Sequence, residues 1–215
     1  DDSTNFQRNF STGQVEIEPQ VIFHVTEYRE RRNHFAYFAC SVPTAGFDSS
    51  RNAFVGVHEG LDAPKAVVAG QCSNSVAYGW HPIGAHQVNI ELAPGEEKRL
   101  HFLLGYAENP EDQKFIPGKW VRPGQLVANK APFEKVRQEL GTSAQVDAAF
   151  EQLRTSWDEL LSIYKVQVDD PHVSRMVNIW NQYQCMTTLN MSRSASLYES
   201  GIGRGMGYRD SNQDL

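Results

Sequence analysis

The sequence predicts a β-plus-α chain: part of an antiparallel β-sandwich, then linker helices, then the opening of a larger helical domain. Three observations carry this. Short runs rich in Val, Ile and aromatic residues fill the first half, a proline-rich stretch follows Asn109-Pro110, and beyond it apolar residues recur at three- and four-residue steps.

Six segments read as strands: 14–25, 34–42, 52–58, 75–80, 87–93 and 99–107. Turn-forming stretches such as "PTAGFDSS", "EGLDAP" and "APGEE" separate them, and no helical period intervenes. Strands at this spacing favour antiparallel sheets packed face to face. Alternation at Val15 and Ile17, and again at Leu100, Phe102 and Leu104, assigns those residues to core faces. The stretch 109–132 contains four prolines and reads as a linker. Over 143–165 the residues Val146, Ala149, Phe150, Leu153, Trp157, Leu160, Leu161 and Tyr164 form one apolar stripe of a helix. A second helix is expected over 171–190, with Asp170 as its cap and Pro171 in its first turn. Its apolar residues, among them Met176, Trp180, Tyr183 and Met186, cover much of its circumference, as in an inner helix wrapped by protein. Nothing in 215 residues is left to wrap it, so the chain is expected to be a piece of a longer polypeptide, with an exposed apolar face around Trp180 and Met186.

Composition narrows the class. A net charge of −6 argues against a general nucleic-acid binder, and the cluster "YRERRN" at 28–33 is short and interrupted by Glu30. No apolar run approaches the roughly 18 residues of a membrane span, and the start "DDSTNFQRNF" lacks the basic and apolar regions of a signal peptide. Cys40, Cys72 and Cys185 are odd in number and far apart, which is neither a disulfide framework nor a metal knuckle and suits the reducing cytoplasm.

The end of the chain, "GIGRGMGYRDSNQDL", carries the strongest chemical signal. Gly201, Gly203, Gly205 and Gly207 clear side chains from backbone that approaches a ligand or adopts positive φ. A phosphate-binding P-loop would continue Gly-Lys-Ser/Thr, whereas Arg209-Asp210 stand there, and a dinucleotide fingerprint needs a different spacing after a strand. Asp210, Asn212 and Asp214 match the opening of a calcium loop, but Leu215 replaces its required glycine. What remains is a polar ring of Arg193, Arg204, Arg209, Glu199, Asp210 and Asp214, suited to sugar hydroxyls and phosphate oxygens or, more blandly, to surface ion pairs.

The run 178–215, with "SGIGRGMGYRDSNQD" as its most specific part, resembles the family 94 glycoside phosphorylases, as do "DDSTNFQRNFSTGQVEIE" at the start and "TEYRERRNHFAYF" at 26–38. The resemblance implies part of an N-terminal β-sandwich over 1–109, a linker with a helix over 110–168, and the beginning of a catalytic (α/α)6 barrel over 169–215. It implies inverting, reversible phosphorolysis of cellobiose to α-D-glucose 1-phosphate and glucose by a homodimer. No cofactor or metal is implied; inorganic phosphate is the co-substrate. Carried over by position, Arg204 and Asp210 hold the donor glucose, Arg193 lies on the donor and phosphate side, and Asn5 and Arg8 lie near the acceptor glucose. The proton donor is an aspartate expected beyond residue 215, so no catalytic residue is assigned within the chain. Two alternatives stay open. One is a sister phosphorylase acting on cellodextrins, chitobiose or laminaribiose; the other is a non-catalytic sugar-binding module in which Trp80 and Trp120 stack on sugar faces.

Overall fold

The computed structural model describes residues 13–26, 33–78 and 81–190. It divides into two compact units between Asp147 and Ala148.

The first unit is built on a four-stranded antiparallel sheet in the order β1-β2-β3-β6. Its strands are β1 (Gly13–Glu18), β2 (Val21–Thr26), β3 (His34–Cys40) and β6 (Phe102–Glu108). The segment 14–25 is thus a hairpin rather than one strand: Pro19 blocks continuation and Gln20 turns the chain at φ 68°. Alternation gives the sheet two apolar faces. On one, Val21, Phe23, Val25, Phe35, Tyr37 and Ala39 pack with Ala128 and Phe133. Phe23 stands edge-on to Phe133 at 5.1 Å between ring centres. On the other, Val15, Ile17 and Ile22 meet Phe47 and Ala77.

Strand β4 (Gly46–Ser50) pairs antiparallel with β5 (Pro82–Gln87) as a separate ribbon. His86 of this ribbon stacks on Phe38 of β3 at 4.8 Å, so the two sheets meet on the Phe38 face. The strand expected at 52–58 is absent. Its first residues form the short helix α1 (Arg51–Phe54), and Gly56 at φ 102° breaks the chain direction. A second short helix, α2 (Lys65–Ala69), follows. In the described part of the expected strand at 75–80, residues 75–78 contribute a bridge from Ser75 to Asp48, and that at 87–93 ends at its first residue because the ladder runs through 82–87 instead.

Strand β6 exists, but its expected facing is reversed. Leu103 and Ala107 pack on the Phe23 core, whereas Phe102, Leu104 (80% exposed) and Tyr106 (70% exposed) lie on the opposite, Phe38 face. Register explains the phase. Tyr37 faces Gly105 across the ladder, and a Cβ on Gly105 would come 2.5 Å from the Tyr37 hydroxyl. Glycine is required where the tyrosine ring lies down, so the core face of β6 is the odd-numbered one.

The proline-rich stretch is more structured than a linker. It holds the hairpin β7 (Phe115–Arg122) and β8 (Gln125–Ala128), turned by Pro123-Gly124 with Gly124 at φ 82°. Helix α3 (Ala131–Leu140) then delivers Phe133 to the core. Helix α4 (Ser143–Ser162) follows, and Arg99 holds Asp147 in its first turns through two bonds of 2.6 and 2.8 Å.

In the second unit, the expected helix at 171–190 is found as α5 (Pro171–Arg175), a π-helical stretch Met176–Asn181, and α6 (Gln182–Asn190). Asp170 caps it as expected, accepting from the backbone N–H groups of His172 and Val173. No residue of this helix is buried, and Trp180 is 53% exposed, in keeping with the apolar face expected there.

Candidate functional site

The residues carrying the sequence-predicted sugar and phosphate site lie outside the described residues: Arg193, Arg204 and Asp210 with the whole glycine loop, and Asn5 and Arg8 ahead of β1. Trp80 lies outside them too, whereas Trp120 is 59% exposed on β7. What is described is the scaffold from which these segments depart.

Toward Arg193, the chain runs through α5, the π-helical stretch and α6. Asn178 pins the incoming strand-like segment by exchanging two bonds with Val166: its Oδ1 accepts from Val166 N at 2.7 Å and its Nδ2 donates to Val166 O at 2.8 Å. Gln182 donates to the Tyr164 and Asn178 carbonyls. Tyr183 lies between Trp157 and Trp180 at 5.8 and 6.2 Å. An extra residue per turn in a π-helical segment redirects the following side chains, a feature that often accompanies functional sites.

Two buried carboxylates form polar centres that the strand patterning did not single out. Glu16 is on β1, on the face that packs against Phe133. Its carboxylate accepts from Gln14 Nε2 (2.6 Å), the Ala128 backbone N–H (2.8 Å) and Lys130 Nζ (2.6 Å). Lys130 also reaches Glu18 at 2.7 Å and lies over the Phe23 ring at 4.8 Å. Asp48 is wholly enclosed and accepts four bonds of 2.6–3.0 Å, from the backbone and hydroxyl groups of Ser73 and Ser75. Burial alone would raise its pKa, but these donors outweigh it and hold the carboxyl below its ordinary value. The Cys72 thiol is pushed up, first by burial and then by the neighbouring Asp48 charge. Both carboxylates are engaged by several donors, so their work is structural: Glu16 ties β8 and α3 to the sheet, and Asp48 ties the loop at 73–75 to β4. The "CSNS" stretch at 72–75, two serines around Asn74, was the available signal for the second centre.

Histidines form a third group. Burial lowers the pKa of His24, and it lowers that of His86 against the opposing bond from its Nε2 to the Phe38 carbonyl at 2.9 Å. Among the described residues no three His, Cys, Asp or Glu side chains converge as a metal site, and no helix is long and apolar enough to cross a membrane.

Comparison with known proteins supplies what this scaffold leaves open. The glycosyl hydrolase 94 supersandwich domain matches residues 1–121, and the catalytic domain of the glycosyl hydrolase 94 superfamily matches residues 156–215. An N,N′-diacetylchitobiose phosphorylase of Vibrio proteolyticus is 28% identical over 99% of this chain and 24% of its own length. A second N,N′-diacetylchitobiose phosphorylase, from Vibrio furnissii, is 32% identical over 84% of the chain and 20% of its own length. A solabiose phosphorylase of Paenibacillus borealis is 26% identical over 92% of the chain and 22% of its own length. The chain therefore spans about a quarter or less of these relatives. With its sandwich region and its helical region each matched in chain order, the chain belongs to glycosyl hydrolase family 94.

Proposed function

We propose that the chain is part of an inverting phosphorylase that cleaves cellobiose reversibly into α-D-glucose 1-phosphate and glucose. The observation that carries the phosphorylase reading is the catalytic-domain match over 156–215, which includes the glycine loop with Arg204 and Asp210. The chemistry explains the residue types. A hydrolytic inverting enzyme needs a second carboxylate to deprotonate water, whereas phosphate is already an anionic nucleophile. It needs cations to hold it in line with the anomeric carbon, and one acid to protonate the leaving oxygen. In this reading Arg204 and Asp210 hold the donor glucose, Arg193 faces donor and phosphate, and Asn5 and Arg8 approach the acceptor. The acid comes from elsewhere in the full-length polypeptide, whose helical part is an (α/α)6 barrel beginning within 169–215. The protein works as a cytoplasmic homodimer without a cofactor.

A second reading rests on a specific observation: two of the relatives act, by name, on N,N′-diacetylchitobiose. The two disaccharides differ at C2 of both rings, so donor-side and acceptor-side contacts both decide between them. Rates of sugar 1-phosphate release by the full-length protein from cellobiose, N,N′-diacetylchitobiose, laminaribiose and cellotriose separate them. Preference for cellobiose by tenfold or more is expected; preference for any other sugar replaces cellobiose as the substrate and leaves the phosphorylase reading intact. Saturable sugar binding with no phosphate-dependent turnover in the full-length protein would instead favour a binding module.

A further inference from the structure

The face of the four-stranded sheet that meets the β4–β5 ribbon is unusual in carrying histidines where a sandwich interior has aliphatic residues. His24 of β2 shares this face with its cross-strand neighbours Val15 and Ala36. Its Nε2 is buried without a hydrogen-bond partner. His86 of β5 lies flat on Phe38, donates from Nε2 to the Phe38 carbonyl, and leaves Nδ1 buried and without a partner. Beside His24, where β5 crosses Phe38, is an open recess of about 210 Å³ lined by Ile22, His24, Phe38, Ile83, Gly84 and Leu104. The packing between the sheets is therefore incomplete, and each imidazole has one ring nitrogen whose protonation would place an N–H where no acceptor waits.

We propose that this seam is acid-labile: the β4–β5 ribbon stays on the sheet only while the imidazoles of His24 and His86 are both uncharged. Among the described residues the surrounding charges offer no compensation. On β1, Gly13, Val15 and Ile17 share the His24 face, while Glu16 and Glu18 point to the opposite one and are engaged with Lys130. On β4, Phe47 is the partner of His86; Asp48 alternates to the other side and is filled by Ser73 and Ser75, with Cys72 beside it. From β3 and β6, His34 stacks on Tyr106 and lies 3.6 Å from Glu108, at the far end of the β3–β6 ladder from Cys40. Arg51 and His81 sit at the opposite end of the ribbon from His86. Among the described residues, an imidazolium at either position is thus a partly buried charge without a counter-charge. Burial already disfavours the charged form of both rings, so the seam holds above the ordinary histidine pKa and is lost as pH falls below it.

The test is amide hydrogen exchange of the full-length protein at about pH 7.5 and about pH 5, corrected for intrinsic rates. Amides of 46–50 and 83–87 are expected to exchange on the order of tenfold faster at the lower pH, while those of α3 keep their protection. In the His24→Gln/His86→Gln variant, whose amides keep a donor but cannot charge, the acceleration should vanish. Unchanged protection in the wild type, equal acceleration in the variant, or simultaneous loss in α3 overturns the proposal. Should the variant not fold, NMR titration of the wild-type rings decides: both must titrate below about 6.5, and either doing so higher with the ribbon in place overturns it.

Discussion

The Asp48 carboxylate is enclosed and yet stays charged, because four short bonds from Ser73 and Ser75 replace its water. Its folded pKa is depressed, so its contribution is complete above the unfolded value of about 3.9 and is lost as pH falls through the folded one. Asp48→Ala strands the serine donors and should cost about 3 kcal/mol in urea unfolding at neutral pH, with the cost shrinking toward acid pH. A loss under half a kcal/mol would remove Asp48 from this role. At the proposed sugar site, Arg204→Ala in the full-length enzyme should lower kcat/KM for phosphorolysis by about 3 kcal/mol, on the order of a hundredfold; a change under about twofold contradicts the assignment. These residues differ in legibility. Arg204 stands in a motif that can be read directly, whereas Asp48 sits in "FDSS" and looks like any turn aspartate until the chain brings 73–75 back to it.

At the scale of elements, the Glu16–Lys130 pair couples β1 to the start of α3 across 114 residues of sequence. Breaking one side of a buried pair leaves an unpaired charge. Lys130→Met should therefore destabilise by about 4 kcal/mol, Glu16→Gln by less, and the double variant by clearly less than the sum. Additive losses would mean that the two charges do not act together. Strand β3 and both long helices were readable because alternating or three- and four-residue apolar spacing leaves a pattern in the residues, whereas the run 14–25 was read as one strand and its turn at Pro19-Gln20 was missed. Strand β6 was located correctly but faced wrongly, since Leu103 and Leu104 are both apolar and only Tyr37 lying over Gly105 selects between them. The 52–58 run has strand-like composition, yet Gly56 at positive φ and the capture of Ser75 by Asp48 leave it no ladder to join. The β7–β8 hairpin was missed for the converse reason: its prolines suggest a linker, but Pro123-Gly124 is itself the turn.

At the scale of the molecule, the two units place their apolar surfaces differently. The first has a dense centre around Phe23, Phe35 and Phe133, and leaves Phe102, Leu104 and Tyr106 exposed on the part of the Phe38 face carried by β6. The second has no buried side chain in the described part of its helix 171–190, and leaves Met176, Ile179 and Trp180 half-exposed. Periodicity revealed which residues are apolar, but which of them are covered depends on contacts that a single helix cannot encode. Family membership was legible through the terminal motif; the choice of disaccharide was not, because Asn5 and Arg8, the residues proposed on the acceptor side, carry no pattern that separates one sugar from another. The most direct test is the product analysis of the full-length protein incubated with cellobiose, with and without inorganic phosphate. The account predicts α-D-glucose 1-phosphate and glucose in equal amounts only when phosphate is present, and net hydrolysis when arsenate replaces it. Glucose release at the same rate without either oxyanion would contradict it.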